Sequence, residues 1–173
     1  KQKKSITDSI HYAKRIQSAL LPKNEIFNTH FSGIFELYKP RDIVSGDFYW
    51  FEQMENWVIV SAVDCTGHGV PGAMMSMLGM SFLNEIVNSA EIYEPHKILE
   101  KLRELIKHSL QQTGKEDEQK DGMDMSICAI NILTHQLFYA GANCPVYICR
   151  DNNTQKAFDL IEFKPDFQPV GIY

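Results

Sequence analysis

Hydrophobic positions along the chain follow two different periods. Near the N-terminus Ile6, Ile10, Ala13, Ile16, Leu20 and Leu21 recur at helical spacing, and Pro22 ends the run. This predicts an amphipathic helix of about five turns at ~3.6 residues each. It either packs on its own domain or serves as a linker or dimer helix. The about three clean heptads a coiled coil needs are not present. Further on, GIFELYKP (33–40) reads as a strand, and FYWFEQ (48–53) with WVIVSAV (57–63) reads as a hairpin around Met54-Glu55-Asn56. Residues 72–89 predict an apolar helix in which Met74, Met75, Met77 and Met80 are core filler. A second helix is expected over 94–113, with Pro95 in its first turn and Ile98, Leu102, Leu105 and Ile106 on one face. The polar segment 114–121 reads as a loop. MSICAINIL, QLFYAGA, VYICR and KAFDLIEF then predict a meander of four short strands. A hairpin, two long helices and more strands, in that order, predict a layered α+β domain rather than βαβ repeats.

Composition narrows the class. A chain of 173 residues supports one domain with a sizeable core, and 44% hydrophobic with 23% charged residues is an ordinary globular balance. The net charge of -5 argues against a nucleic-acid partner, which clustered Lys and Arg would hold; the basic run Lys1 to Lys4 reads as a solvated helix end. Cys65, Cys128, Cys144 and Cys149 form no C-x-x-C pair, so reduced thiols in a cytoplasmic protein are expected, with neither zinc nor disulfides. No stretch approaches the ~18 apolar residues of a membrane span, and no signal-peptide pattern opens the chain. KQKK begins inside a helical pattern and PVGIY stops on a strand-like run, as in a piece excised from a larger protein.

The chemistry concentrates in VIVSAVDCTGHGVPGAMMSML (58–78). Gly67, Gly69 and Gly72 spell G-x-G-x-x-G, the pattern of a dinucleotide loop. That reading fails, because two helices follow where a second strand is required, and Asp64 would face the pyrophosphate. The glycines instead allow a sharp turn beside a metal, and the helix opened by Pro71 offers its N-terminal N–H groups to an anion. A hairpin centred on Glu55-Asn56 puts Asp47 across from Asp64, with Cβ atoms ~4.5–5.5 Å apart. Two carboxylates that close need a shared proton or a cation between them, and Mg²⁺ or Mn²⁺ suits oxygen ligands. Alternatively both acids merely end strands beside the turns SGD and DCTG, since a slip of one residue would separate them. His68 is either hydrogen-bonded within its loop or catalytic.

Taken together, IQSALLP, VSGDFYWF, VDCTGHGVPGAMMS, YAGANCPVYICR and FQPVGIY occur in the order found in bacterial metal-dependent serine/threonine phosphatases. From about Ile16 onward the chain resembles the protein phosphatase 2C-like group typified by stage II sporulation protein E. The resemblance implies an α-β-β-α sandwich of two antiparallel sheets flanked by helices, incomplete at the C-terminus. It divides the chain into a connector helix (1–22) and a phosphatase domain (23–173). It implies two Mn²⁺ or Mg²⁺ ions that activate a water against phosphoserine or phosphothreonine. Asp47 and Asp64 would be the catalytic acids and metal ligands, Asp47 acting directly or through a bound water and Asp64 bridging, with the Cys65 carbonyl adding an oxygen. Gly67, His68 and Gly69 would form the phosphate-side loop.

Two departures bear on this. The family pattern continues to a D-G acid and a paired-acid strand beyond the point where this chain ends, so weak or absent turnover is expected from it. Trp50 stands where relatives often carry an acid, and Asp121 and Asp124 read as turn residues rather than replacement ligands. The implied partners are a phosphorylated regulatory protein such as an anti-sigma-factor antagonist, an upstream sensor domain, and a second copy through the N-terminal helix. The competing reading is a non-catalytic partner-binding or dimerising signalling domain.

Overall fold

The computed structural model describes residues 2–23, 31–89, 93–115, 120–152 and 157–172. Its elements are α1 (Gln2–Leu20), β1 (Phe48–Met54), β2 (Trp57–Cys65), α2 (Gly69–Asn84) with a π-helical extension (Glu85–Ser89), α3 (Pro95–Ser109), β3 (Gly122–Asn131), β4 (Leu137–Ala142), β5 (Val146–Asn152), β6 (Ala157–Phe163) and β7 (Val170–Gly171). Strands β1-β2-β3-β4 form an antiparallel sheet in that order, with β7 pairing the start of β3, and β5-β6 form a separate two-stranded antiparallel sheet. The expected α+β class with two antiparallel sheets and helices is the one observed.

Side chains alternate faces along a strand, and this decides where the core lies. Phe48 and Trp50 of β1, Ile59 and Val63 of β2, and Met123, Met125 and Ile127 of β3 share one face. They pack with Met80, Leu83, Ile86, Ile98, Leu102 and Ile106 from the helices. Ile98, Leu102 and Ile106 recur at every fourth position of α3 and have no exposed surface, as the helical pattern requires. On the other face a smaller cluster forms from Phe51 and Val58 with Tyr49, Val60 and Ile132. Within the 21-residue segment Gly69–Ser89 an 18-residue window reaches a mean hydropathy of 1.2, apolar and long enough by length and composition to cross a membrane, which the sequence reading did not anticipate. Half of it is buried, and its inward side supplies Met75, Met80 and Leu83 to the core.

Several expectations need correction. Residues 33–40 form no strand, and Ile34, Phe35 and Leu37 are largely exposed. Their hydrophobic pattern finds no ladder partner among the described residues. The four-strand meander breaks between β4 and β5. Asn143, at φ 55, turns the chain. Asp166 takes the hydrogen bonds at the end of β4, its N–H donating to the Gly141 carbonyl and its carbonyl accepting from Asn143 N–H. Helix α3 ends at Ser109, short of the expected Thr113. Residues 116–119 of the expected loop and Lys156 of KAFDLIEF lie outside the described residues. In α1 the apolar stripe is split. Ile6, Ile16 and Leu20 are exposed, and the one buried side chain is the polar Gln17.

This assignment of faces is testable by urea unfolding. Ile59→Ala, at a site with no exposed surface, is expected to cost about 2–5 kcal/mol. Phe158→Ser, on the exposed side of β6, should stay within about 0.5 kcal/mol. Equal losses would mean that β6 belongs to the core.

Candidate metal centre

The β1–β2 hairpin turns at Glu55-Asn56, with Glu55 in the left-handed region at φ 50. Pairing runs from Met54↔Trp57 to Phe48↔Val63. One step further along the same register come Asp47 and Asp64. Val63 and Cys65 face the helices, so Asp64 between them faces the other way. Its carboxyl group is close enough to that of Asp47 for the two to interact. Burial raises the Asp64 pKa above its ordinary value, and the hydrogen bond and charge of Asp47 push in the same direction.

A third acid stands on the far side. Asp124 is not in a turn, as the sequence reading had it; it lies within β3, paired directly with Asp64. Extension of the β2–β3 ladder to Cys65↔Met123 makes this position part of the sheet. Asn143 Nδ2 donates to Asp124 Oδ1 at 2.9 Å. Asp121 precedes the strand, and its carbonyl accepts from Gln112 Nε2. Thr66 pins the loop after β2 onto β3. Its N–H donates to the Gly122 carbonyl at 2.9 Å, and its Oγ1 accepts from Gly122 N–H at 3.0 Å.

The glycines do steric work at two positions. Gly67 adopts φ 86, which a side chain would strain. A Cβ on Gly72 would lie 2.6 Å from the Gly67 carbonyl oxygen and 3.1 Å from Gly46 Cα, so the start of α2, its preceding loop and the SGD turn touch backbone to backbone. The Cys65 carbonyl oxygen comes 3.2 Å from where a Cβ of Gly46 would be, beside the turn that carries Asp47. The Cys65 side chain is buried in the core, and burial, with Asp64 and Asp47 adding, pushes its thiol far up. It is neither a thiolate nor a nucleophile.

His68 lies at the mouth of an open cleft of about 400 Å³ lined by Asp64, Cys65, Thr66, Gly67, His68 and Asp124. Its Nδ1 is 2.9 Å from Asp42 Oδ2, both side chains being exposed. Asp42 had no signal in the sequence, since nothing in RDIVSGD marks it as a partner for a histidine 26 positions on. Trp50 is buried on the helix side of the sheet, where its Nε1–H donates to Asn84 Oδ1 at 2.8 Å, so it cannot line the cleft.

The donor set is hard oxygen: two carboxylates in contact and a neighbouring backbone carbonyl. It fits Mg²⁺ or Mn²⁺ in kind. Among the described residues, no three His, Cys, Asp or Glu side chains converge closely enough to hold an ion. Asp64 and Asp124 border an open cleft.

Comparison with known proteins places the fold. Among solved structures the chain is similar to the SiaA-PP2C domain of Pseudomonas aeruginosa, at 30% identity and TM-score 0.81, over 98% of this chain and 64% of that one. The chain thus spans 64% of the length of that relative. The PP2C phosphatase domain of SpoIIE from Bacillus subtilis, solved with a fragment of its regulatory domain, is 16% identical with TM-score 0.54, over 75% of this chain and 34% of that one. No curated protein sequence matches the chain. The fold is thus that of PP2C phosphatases. Residues 55–168 match the family model for Stage II sporulation protein E (SpoIIE), and the chain belongs to that family.

The raised Asp64 pKa has a definite consequence for stability. The folded, metal-free protein binds this proton more readily than the unfolded chain does. The penalty of ionising Asp64 is therefore absent below the ordinary carboxylate value and grows as pH rises through the raised folded value. Asp64→Asn is expected to raise the metal-free Tm at neutral pH by about 2 °C, allowing for the exposure of the site. It should leave Tm near wild type below pH ~4 and remove the gain from added Mn²⁺. A wild-type protein that gains stability relative to this variant as pH rises would contradict the paired geometry.

Proposed function

We propose that this domain hydrolyses phosphoserine or phosphothreonine on a bacterial regulatory protein, with water as the nucleophile. The observation that carries the reading is the pair Asp47 and Asp64, held in contact at one end of the sheet in a chain of the SpoIIE family. Asp47, Asp64 and the Cys65 carbonyl would hold Mn²⁺ or Mg²⁺, with Asp64 as the bridging ligand. Bound there, two such ions supply Lewis acidity toward water and toward the phosphoryl oxygens.

The chain's own residues do the rest. The pair keeps negative charge fixed on the open face of the sheet. Gly67 and Gly69 fold the loop so that α2 begins at the cleft, and its first N–H groups face the anionic substrate. His68, oriented through Nδ1 by Asp42, presents its other ring nitrogen as a hydrogen-bonding group on the phosphate side. Neither buried cysteine competes as a nucleophile; burial raises the Cys128 thiol to about 11.

With so few side-chain donors, metal affinity and turnover are low in this chain. We assign the domain to the cytoplasm, residues 1–22 to a connector from an upstream sensor, and the phosphoprotein to the class of anti-sigma-factor antagonists. The exposed Tyr12, Ile16 and Leu20 of α1 offer a surface for a second copy.

Hydrolysis of p-nitrophenyl phosphate with and without Mn²⁺ tests the reading. Activity should require the ion, and Asp64→Ala should lower kcat/KM by about a hundredfold or more, because losing even an outer partner of a metal ligand costs about 10–100-fold. Metal-independent hydrolysis, or an Asp64→Ala variant as active as wild type, would overturn the assigned metal site, and no hydrolysis with or without Mn²⁺ would leave the non-catalytic binding domain as the better account.

A further inference from the structure

Gln17 reverses the helical pattern around it. Its neighbour Ile16 is 44% exposed and Leu20 45%, whereas Gln17 is 4% exposed and is the single buried residue of α1. Packing alone would favour the opposite arrangement, since burying a polar amide is unfavourable unless each of its groups is bonded. Here they are bonded. Gln17 Nε2 donates to the Ser45 carbonyl at 2.6 Å and to Ser76 Oγ on α2 at 2.8 Å, and Gln17 Oε1 accepts from Ser45 N–H at 3.0 Å. The side chain thus pairs with both backbone groups of Ser45, as a neighbouring strand would. Ser45 Oγ in turn accepts from Asp47 N–H at 3.0 Å.

We propose that Gln17 is a positioning residue, through which α1 fixes the SGD turn and so the placement of Asp47 against Asp64. The inference rests on the reading of that pair as the metal-binding acids. Three links carry it: a buried amide on α1, the backbone of Ser45, and the N–H of Asp47. If α1 shifts along its axis, both bonds to Ser45 break together, because one side-chain amide makes them both. The turn then loses the partner of its buried N–H and one of the two donors to its C=O, Ser76 Oγ at 3.1 Å being the other. Asp47 loses its fixed distance from Asp64, while the β1–β2 ladder, which starts at Phe48, stays paired. The domain therefore has a route from the position of its first helix to its acidic pair that bypasses the core.

Gln17→Met keeps the shape and removes the hydrogen bonds; Ser45→Ala removes the acceptor for Asp47 N–H together with the bond between the Ser45 hydroxyl and Tyr38. Mn²⁺ affinity by calorimetry on the full chain is expected to fall about tenfold in each single variant, the scale for losing a partner that orients a ligand. The double variant should bind no more weakly than the singles, because both changes cut the same path. A Gln17→Met protein that melts lower yet binds Mn²⁺ as wild type does, or losses that multiply in the double variant, would overturn the proposal. Should wild type itself bind no Mn²⁺, the metal reading fails separately, and amide exchange then decides the link. Asp47 should exchange about tenfold faster in Gln17→Met while Ile127 and Leu102 keep their wild-type rates. An unchanged Asp47, or equal acceleration at all three, would refute it.

Discussion

The architecture turns on one unfavourable contact, two carboxyl groups of like charge held together by a two-residue reversal of the chain. A hairpin of this kind leaves no freedom of register. Once Met54 pairs with Trp57, each later pair is fixed, and Asp47 arrives opposite Asp64 however much the two repel. The sheet enforces the contact because β2 is its second strand, bonded on both sides, and its inward side chains Ile59, Val63 and Cys65 are committed to the core. Turning Asp64 away from Asp47 would mean turning those residues out. Repulsion of a few kcal/mol at most cannot compete with burial of that many apolar side chains.

Strain of this sort at one edge of a stable sheet is an arrangement for binding. The pair is destabilising alone, and a cation bound there would offset the repulsion, so that the protein's own stability would report occupancy. The surrounding loop suits the same end. Thr66 ties it to β3, close backbone contacts among Gly46, Gly67 and Gly72 hold it against the SGD turn, and the start of α2 gives it positive potential. The glycine contacts are backbone to backbone and leave little room for substitution, whereas the cleft itself stays open.

Much of this was legible in the sequence because it depends on local rules. Period-two alternation on both sides of Glu55-Asn56 pointed to the hairpin, and a symmetric turn put Asp47 across from Asp64; the slip of one residue left open by the sequence is excluded by the observed ladder. The period of α3 specified its buried face. What escaped depends on contacts between distant segments. Asp124 follows a glycine in a polar stretch and reads as a turn; only pairing of β3 with β2 makes it a strand residue opposite Asp64. Asp42 acquires meaning from a histidine brought to it by folding. Gln17 was hidden inside an apolar stripe of which Ile6, Ile16 and Leu20 turned out to face solvent. GIFELYKP has strand-like composition, but composition provides no ladder partner.

The most direct test of the central claim is anomalous diffraction from crystals grown with Mn²⁺. Our account predicts a peak within about 2 Å of carboxylate oxygens from both Asp47 and Asp64. A Mn²⁺-saturated crystal in which those two side chains point apart, or share only a proton with no ion beside them, would contradict it.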